Sequence, residues 1–209
     1  MTNCRWVCVV WFLFLVALAA AAQTFPKVEL AGGYSYVDFH PNVPQLTSQN
    51  LNGGGGAFVY NVTDWLGIRA DFMGYTFGSG WTTKLQELGY IGSVSGNLFT
   101  YQFGPQIKRH SGKLQPFGET LYGVAHSNGY AAVLQAKGNG TYQLKGGAGN
   151  DNAFAMEIGG GLDIALSRLV QLRAVEIDYL LTRFGYKNFS ANQNNFKYFA
   201  GINFTLAGK

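Results

Sequence analysis

Residues 154–179 read FAMEIGGGLDIALSRLVQLRAVEIDY. Phe154, Met156, Ile158, Leu162 and Ile164 share one parity, while Glu157, Gly159, Gly161 and Asp163 share the other. That period of two is the signature of a strand with one apolar face. After a tight turn the pattern restarts, with Val170 and Leu172 alternating against Gln171 and Arg173. Continued without interruption, it would send Glu176 and Asp178 onto the apolar face. A one-residue bulge near Ala174 and Val175 resets the parity, so that Arg173, Glu176 and Asp178 share the polar face and Ile177 and Tyr179 the apolar one.

The rest of the chain varies this hairpin. Val28, Leu30, Tyr34 and Tyr36 alternate with Glu29, Ala31, Gly33 and Ser35. Residues 52–62 and 66–77 form a second hairpin, in which Arg69, Asp71 and Met73 oppose Ile68, Ala70 and Phe72. Phe99, Tyr101, Phe103 and Ile107 alternate with Thr100, Gln102, Gly104 and Gln106. Residues 115–125 are the least regular, because Glu119 shares its parity with Phe117 and Leu121, and a local distortion is expected there. The last strand, 196–206, carries Phe196, Tyr198, Ala200, Ile202, Phe204 and Leu206 on one face. Eight strands result, joined by connections that alternate long and short, and no helix-period segment is visible between them.

Composition narrows the setting. Charged residues are 12% of the chain and aromatic residues 15%, against about 25% charged in an ordinary soluble domain. Residues 1–22 read as a secretory signal peptide, with Arg5, an apolar run and the small residues Ala20 and Ala22. Both cysteines, Cys4 and Cys8, lie inside it, so residues 23–209, read as a single domain, carry no disulfide and no thiolate metal site. Without Arg5 the chain keeps 14 basic and 11 acidic residues, with no long basic run, which excludes a nucleic-acid-binding reading.

The two faces then decide between a soluble sandwich and a membrane barrel. A sandwich would turn a strongly charged face to water. Here the minority face is Gly, Ala, Ser, Thr and Gln with a few ionised groups, and the majority face is aromatic and aliphatic, as a lipid belt is. An open sheet edge in lipid would leave N–H and C=O groups unpaired, so the sheet must close. The expected fold is all-β, an eight-stranded antiparallel up-and-down transmembrane barrel. Eight strands enclose only enough space for side chains, and short turns and both termini face the periplasm.

The segments VELAGGYSYVDF, LNGGGGAFVYNVTDWLGIRADF, QPFGETLYGVAH, GGGLDIALSRLVQLRAVEIDYLLTRFG and NNFKYFAGINF resemble the small outer-membrane β-barrel family, related to the OmpA transmembrane domain and the porin-like opacity proteins. The resemblance implies an outer-membrane location and delivery by periplasmic chaperones to the barrel-assembly machinery. It also implies that Phe204 is the terminal aromatic that the machinery reads. Unlike OmpA, no peptidoglycan-binding domain is expected after the last strand.

Nine charged residues are expected inside the barrel: Glu29, Arg69, Asp71, Glu119, Glu157, Asp163, Arg173, Glu176 and Asp178. A lumenal ion-pair network that closes the barrel is the expectation, with an ion or proton pathway as the alternative. Acids outnumber the two arginines, so at least one carboxyl is expected to be protonated at neutral pH. Two His-Ser neighbours, His110 with Ser111 and His126 with Ser127, raise lipid A deacylation as a third reading. Adjacent strand residues point to opposite faces, and the i, i+2 spacing expected of deacylases of this fold is absent, so no enzyme is expected. No metal ligand set and no cofactor is read from the sequence. The glycine runs 53–56 and 159–161 open no helix and read as thin wall rather than phosphate loops.

The sequence therefore predicts a monomeric outer-membrane barrel with a structural or surface-interaction role, surrounded by membrane lipid and lipopolysaccharide. Loops 78–95 and 127–151 are the expected contact regions for an unspecified extracellular ligand. Trp81, Tyr90 and Tyr130 are candidate anchors for such a partner, or interfacial aromatics touching lipid headgroups. A narrow porin or channel is the alternative function.

Overall fold

Alternating side chains on successive strands let one face of the sheet meet lipid and the other fill an interior, and the closed sheet satisfies its own backbone. The computed structural model describes residues 25–43, 46–141, 143–144, 151–186, 189–190 and 192–206, and the signal-peptide reading of residues 1–22 falls outside them. Eight long strands form a closed antiparallel barrel. They are β1 Val28–Phe39, β2 Gln49–Asn61, β3 Leu66–Thr76, β4 Asn97–Lys108, β5 Leu114–Ser127, β6 Asp151–Ala165, β7 Val170–Arg183 and β8 Gln193–Leu206. Each pairs with its sequence neighbours, and β1 closes on β8 from Val28↔Leu206 to Asp38↔Phe196. This is the up-and-down barrel the sequence predicts.

The lipid-facing side is exposed and apolar, with Ile68, Phe72, Phe103, Ile158, Ile177 and Phe204 all outside. Phe204, the assembly-signal residue read from the sequence, sits on the outer face of β8 opposite Leu30. The expected bulge lies in β7. Leu162 pairs with Val175, but Asp163 pairs with Arg173, and on the other edge Phe199 pairs with Glu176 while Gly201 pairs with Arg173. Ala174 is therefore the additional residue; it and Val175 both face outward, and Glu176 and Asp178 turn in.

Two expectations need correction. β5 is not distorted: its register against β6 runs unbroken from Leu114↔Ile164 to Ser127↔Asp151. Phe117 and Leu121 share the parity of Glu119 because all three point into the lumen. The ring of Phe117 fits because Gly161 faces it; a Cβ there would stand 2.8 Å from Phe117 Cζ. The long connections also contain helices. Helix α1, Gly80–Glu87, and helix α2, Gly129–Asn139, lie at the long-loop end. Both are short and neither shows a strong apolar stripe, so no helical period stood out in the sequence. Residues Ile91–Gly92 and Gln143–Leu144 pair in parallel and tie the two loops together.

Candidate functional site

Every one of the nine charged residues expected in the lumen is buried there. The strands place them, because β3 and β7 stand on opposite sides of the barrel. Arg69 on β3 reaches across to Glu176 on β7 through Nη2–Oε1 at 3.0 Å and Nη1–Oε2 at 3.1 Å. The same guanidinium donates to Glu119 Oε2 at 2.6 Å and to Asp71 Oδ1 at 3.1 Å. Arg173 donates through Nε to Asp163 Oδ1 at 2.8 Å and through Nη1 to Glu176 Oε2 at 2.8 Å. Its guanidinium carbon lies 4.3 Å from the centroid of the Phe117 ring, a cation–π contact in a water-poor interior.

Two lysines complete what the sequence reading left as arginines and acids alone. Lys197 on β8 is fully buried, and its Nζ lies 3.2 Å from each of Asp71, Glu176 and Asp178. It also donates to Glu157 Oε1. Lys108 on β4 donates to Glu29 Oε2 at 2.5 Å, Asp163 Oδ2 at 2.7 Å and Gln171 Oε1 at 2.8 Å. Asn203 and Asn61 add amide donors to Glu29, at 2.5 Å and 2.8 Å. From the turn below, His110 Nε2 lies 2.8 Å from Glu29 Oε1 and its Nδ1 lies 2.5 Å from the Asp64 carbonyl. The contacts run without a break from His110 at the short-turn end to Lys197 near mid-barrel. Parity carries the signal for both lysines: Lys108 lies two residues after Gln106, and Lys197 lies between the lipid-facing Phe196 and Tyr198.

Four carboxylates, Glu119, Glu157, Glu176 and Asp178, converge with oxygens within 4.8 Å of one another. The Lys197 ammonium touches three of them, so lysine supplies positive charge where a metal ion could have done so. Seven acids in all face four cations and His110.

Above the network the lumen becomes mainly apolar, around a small hydrogen-bonded polar set of Ser35, Thr182, Gln193 and Asn195. Val37, Leu51, Met73, Tyr75, Leu98 and Leu180 fill it, and the same cluster continues into the loops. This overturns the expectation for Trp81 and Tyr130, which are neither partner anchors nor interfacial rings. Trp81 is 2% exposed and Tyr130 0%. Their rings stand 5.7 Å apart and meet Phe39, Phe77 and Phe184. Their polar ends are satisfied inside: Trp81 Nε1 donates to the Thr47 carbonyl at 3.1 Å, and the Tyr130 hydroxyl donates to the Pro41 carbonyl. Burial pushes the Tyr130 phenol above its usual range. Tyr90 is half-buried and packs against the same cluster. Loop aromatics at wide spacing give no indication of whether they point out or fold back.

The His-Ser pairs form no catalytic unit. His126 bonds to Asn152 Oδ1 at 2.8 Å on the outer side, while Ser127 is buried and accepts from the Tyr130 amide at 3.2 Å. His110 is engaged by Glu29 and Asp64, and Ser111 accepts from Arg109 Nε at 3.1 Å.

The fold is shared with solved outer-membrane barrels. Neisserial surface protein A matches with a TM-score of 0.58 at 11% identity, over 86% of this chain and 97% of that one. Ail, the attachment invasion locus protein of Yersinia pestis, in complex with the heparin analogue sucrose octasulfate, matches with a TM-score of 0.52 at 12% identity, over 86% and 98%. No protein-family model matches the sequence, and no curated protein does either. Eight closed strands, an apolar outer belt and these likenesses define the class: the chain has the fold of the small eight-stranded outer-membrane β-barrels.

Proposed function

We propose that this barrel is a non-conducting outer-membrane scaffold whose working surface is its long-loop face. The observation that carries the reading is the filling of the barrel axis. The ionic chain from His110 to Lys197 is followed by the apolar layer around Tyr75 and Leu180 and then by the aromatic cap of Trp81 and Tyr130. An interior so occupied stiffens the wall and sets its register, and leaves the loops as the part that meets other molecules. The names of the two fold relatives, a surface protein and an attachment protein, agree with that role. In the same reading the barrel-assembly machinery recognises Phe204, and lipid and lipopolysaccharide surround the wall. Planar-bilayer recordings on refolded protein test it, with no single-channel events expected; reproducible openings would overturn it.

The second reading, a narrow pore, draws on one observation: the lumenal acids outnumber the cations by seven to four. Such an interior would favour cations or protons, and the same recordings would show cation-selective current. A lipid A enzyme is not proposed, and expression in a host envelope is expected to leave lipid A mass unchanged.

A further inference from the structure

The short-turn end carries a feature that neither the ionic interior nor the loop face uses. A groove of about 680 Å³ starts between the β2–β3 and β4–β5 turns and runs onto the outer wall. Its wall portion is apolar and low. Ile107, Pro116 and Gly118 line it, and Gly118 pairs with Gly160, so two side-chain-free positions lie side by side on the lipid-facing surface. Its rim portion is polar and aromatic, with Trp65, Arg109 and Ser111.

The rim is preformed. His110 joins the two turns through the Asp64 carbonyl, and the Lys108 amide donates to the Trp65 carbonyl at 2.9 Å. Arg109 spends Nε on Ser111 at 3.1 Å, and the residue is exposed. Depth is fixed by the neighbouring turns. Trp65 is 56% exposed, Leu114 56%, Leu166 62% and Leu169 63%, and large apolar groups left so open at one level mark the membrane–water boundary. Charge at that level is one-sided: among the described residues the exposed or half-exposed ionic groups of this end are Lys27, Arg109, Lys113 and Arg168 against Asp64.

We propose that this groove seats an anionic glycerophospholipid of the periplasmic leaflet, its phosphate at Arg109 and one acyl chain over Pro116 and Gly118. The groove supplies the two unlike environments such a molecule needs, a basic rim and an apolar wall. A basic rim at a membrane boundary favours an anionic headgroup over a zwitterionic one. The site is independent of whether the lumen conducts.

Trp65 provides the reporter. With Trp81→Phe in protein purified from envelopes, Trp65 is the tryptophan outside the leader, since Trp6 and Trp11 lie within it. The protein is folded into phosphatidylcholine vesicles containing either brominated phosphatidylglycerol or brominated phosphatidylcholine with the same chains. Phosphatidylglycerol is expected to quench Trp65 at about fivefold lower mole fraction. Arg109→Gln should remove that preference. Gly118→Leu, whose Cβ would stand in ordinary contact 3.6 Å from the Gly159 carbonyl oxygen, should fill the seat and abolish the preference as well. Heat-modifiable gel migration establishes that each variant is folded. Equal quenching of the parent by the two lipids, or a preference that survives either substitution in folded protein, overturns the proposal.

Discussion

The lumenal residues differ in what their removal leaves behind. Lys197 contacts four carboxylates, Asp71, Glu157, Glu176 and Asp178. Lys197→Met would leave them facing one another without that cation, and breaking a buried ionic contact by deleting one partner costs about 3–5 kcal/mol. Glu157→Gln removes one negative charge from the same crowd and keeps an amide oxygen for Lys197 to donate to, so it should cost less than about 1 kcal/mol. Equilibrium urea unfolding in detergent micelles compares the two; equal losses would mean that like-charge crowding is not felt. The nine charged residues read from the sequence were legible because Asp, Glu and Arg at strand midpoints are too costly on the lipid side. Lys108 and Lys197 follow the same parity but were less legible, because lysine's long stem can snorkel from the wall to a headgroup. Parity points both inward, and the acids that the fold gathers around them hold them there.

At the scale of the strand, β7 is where the polar pattern and the barrel rule would conflict, and the bulge at Ala174 resolves it. Deleting Ala174 restores strict alternation. Val175 would then alternate directly between Arg173 and Glu176, so Glu176 and Asp178 stay in the lumen and Arg69, Arg173 and Lys197 keep their acidic partners. The single deletion should therefore fold into lipid vesicles, whereas deleting Ala174 and Val175 together, which turns Glu176 and Asp178 to lipid, should abolish folding. The heat-modifiable fraction on unboiled gels separates the two. The bulge was legible because its absence would place two carboxylates in hydrocarbon. The regularity of β5 was not, because parity alone does not distinguish an inward Phe117 from a misplaced one. What admits that ring is Gly161 on the paired strand together with Arg173 beyond it, a relation that exists only once the register is set.

In the whole molecule two structures are held by different forces. The wall is a closed hydrogen-bonded ladder with no edge, so its strands cannot leave one at a time without exposing unpaired backbone. The cap is held by ring contacts among Phe39, Phe77, Trp81, Tyr130 and Phe184 and by a few side-chain bonds such as Trp81 to Thr47. Its helices α1 and α2 have eight and eleven residues, too short to stand alone in water. Local stability should therefore fall from wall to cap. In a Trp65→Phe background Trp81 reports the cap, and its emission should shift to the red at lower urea than that needed to abolish heat-modifiable migration, which reports the wall. Tyr130→Ala should move the first transition down by about 3–5 kcal/mol, the cost of truncating a large buried ring, and leave the second almost unchanged. A single coincident transition in parent and variant would show instead that cap and wall form one cooperative unit. The loops would then be fixed extensions of the barrel, presenting a rigid face to whatever they meet.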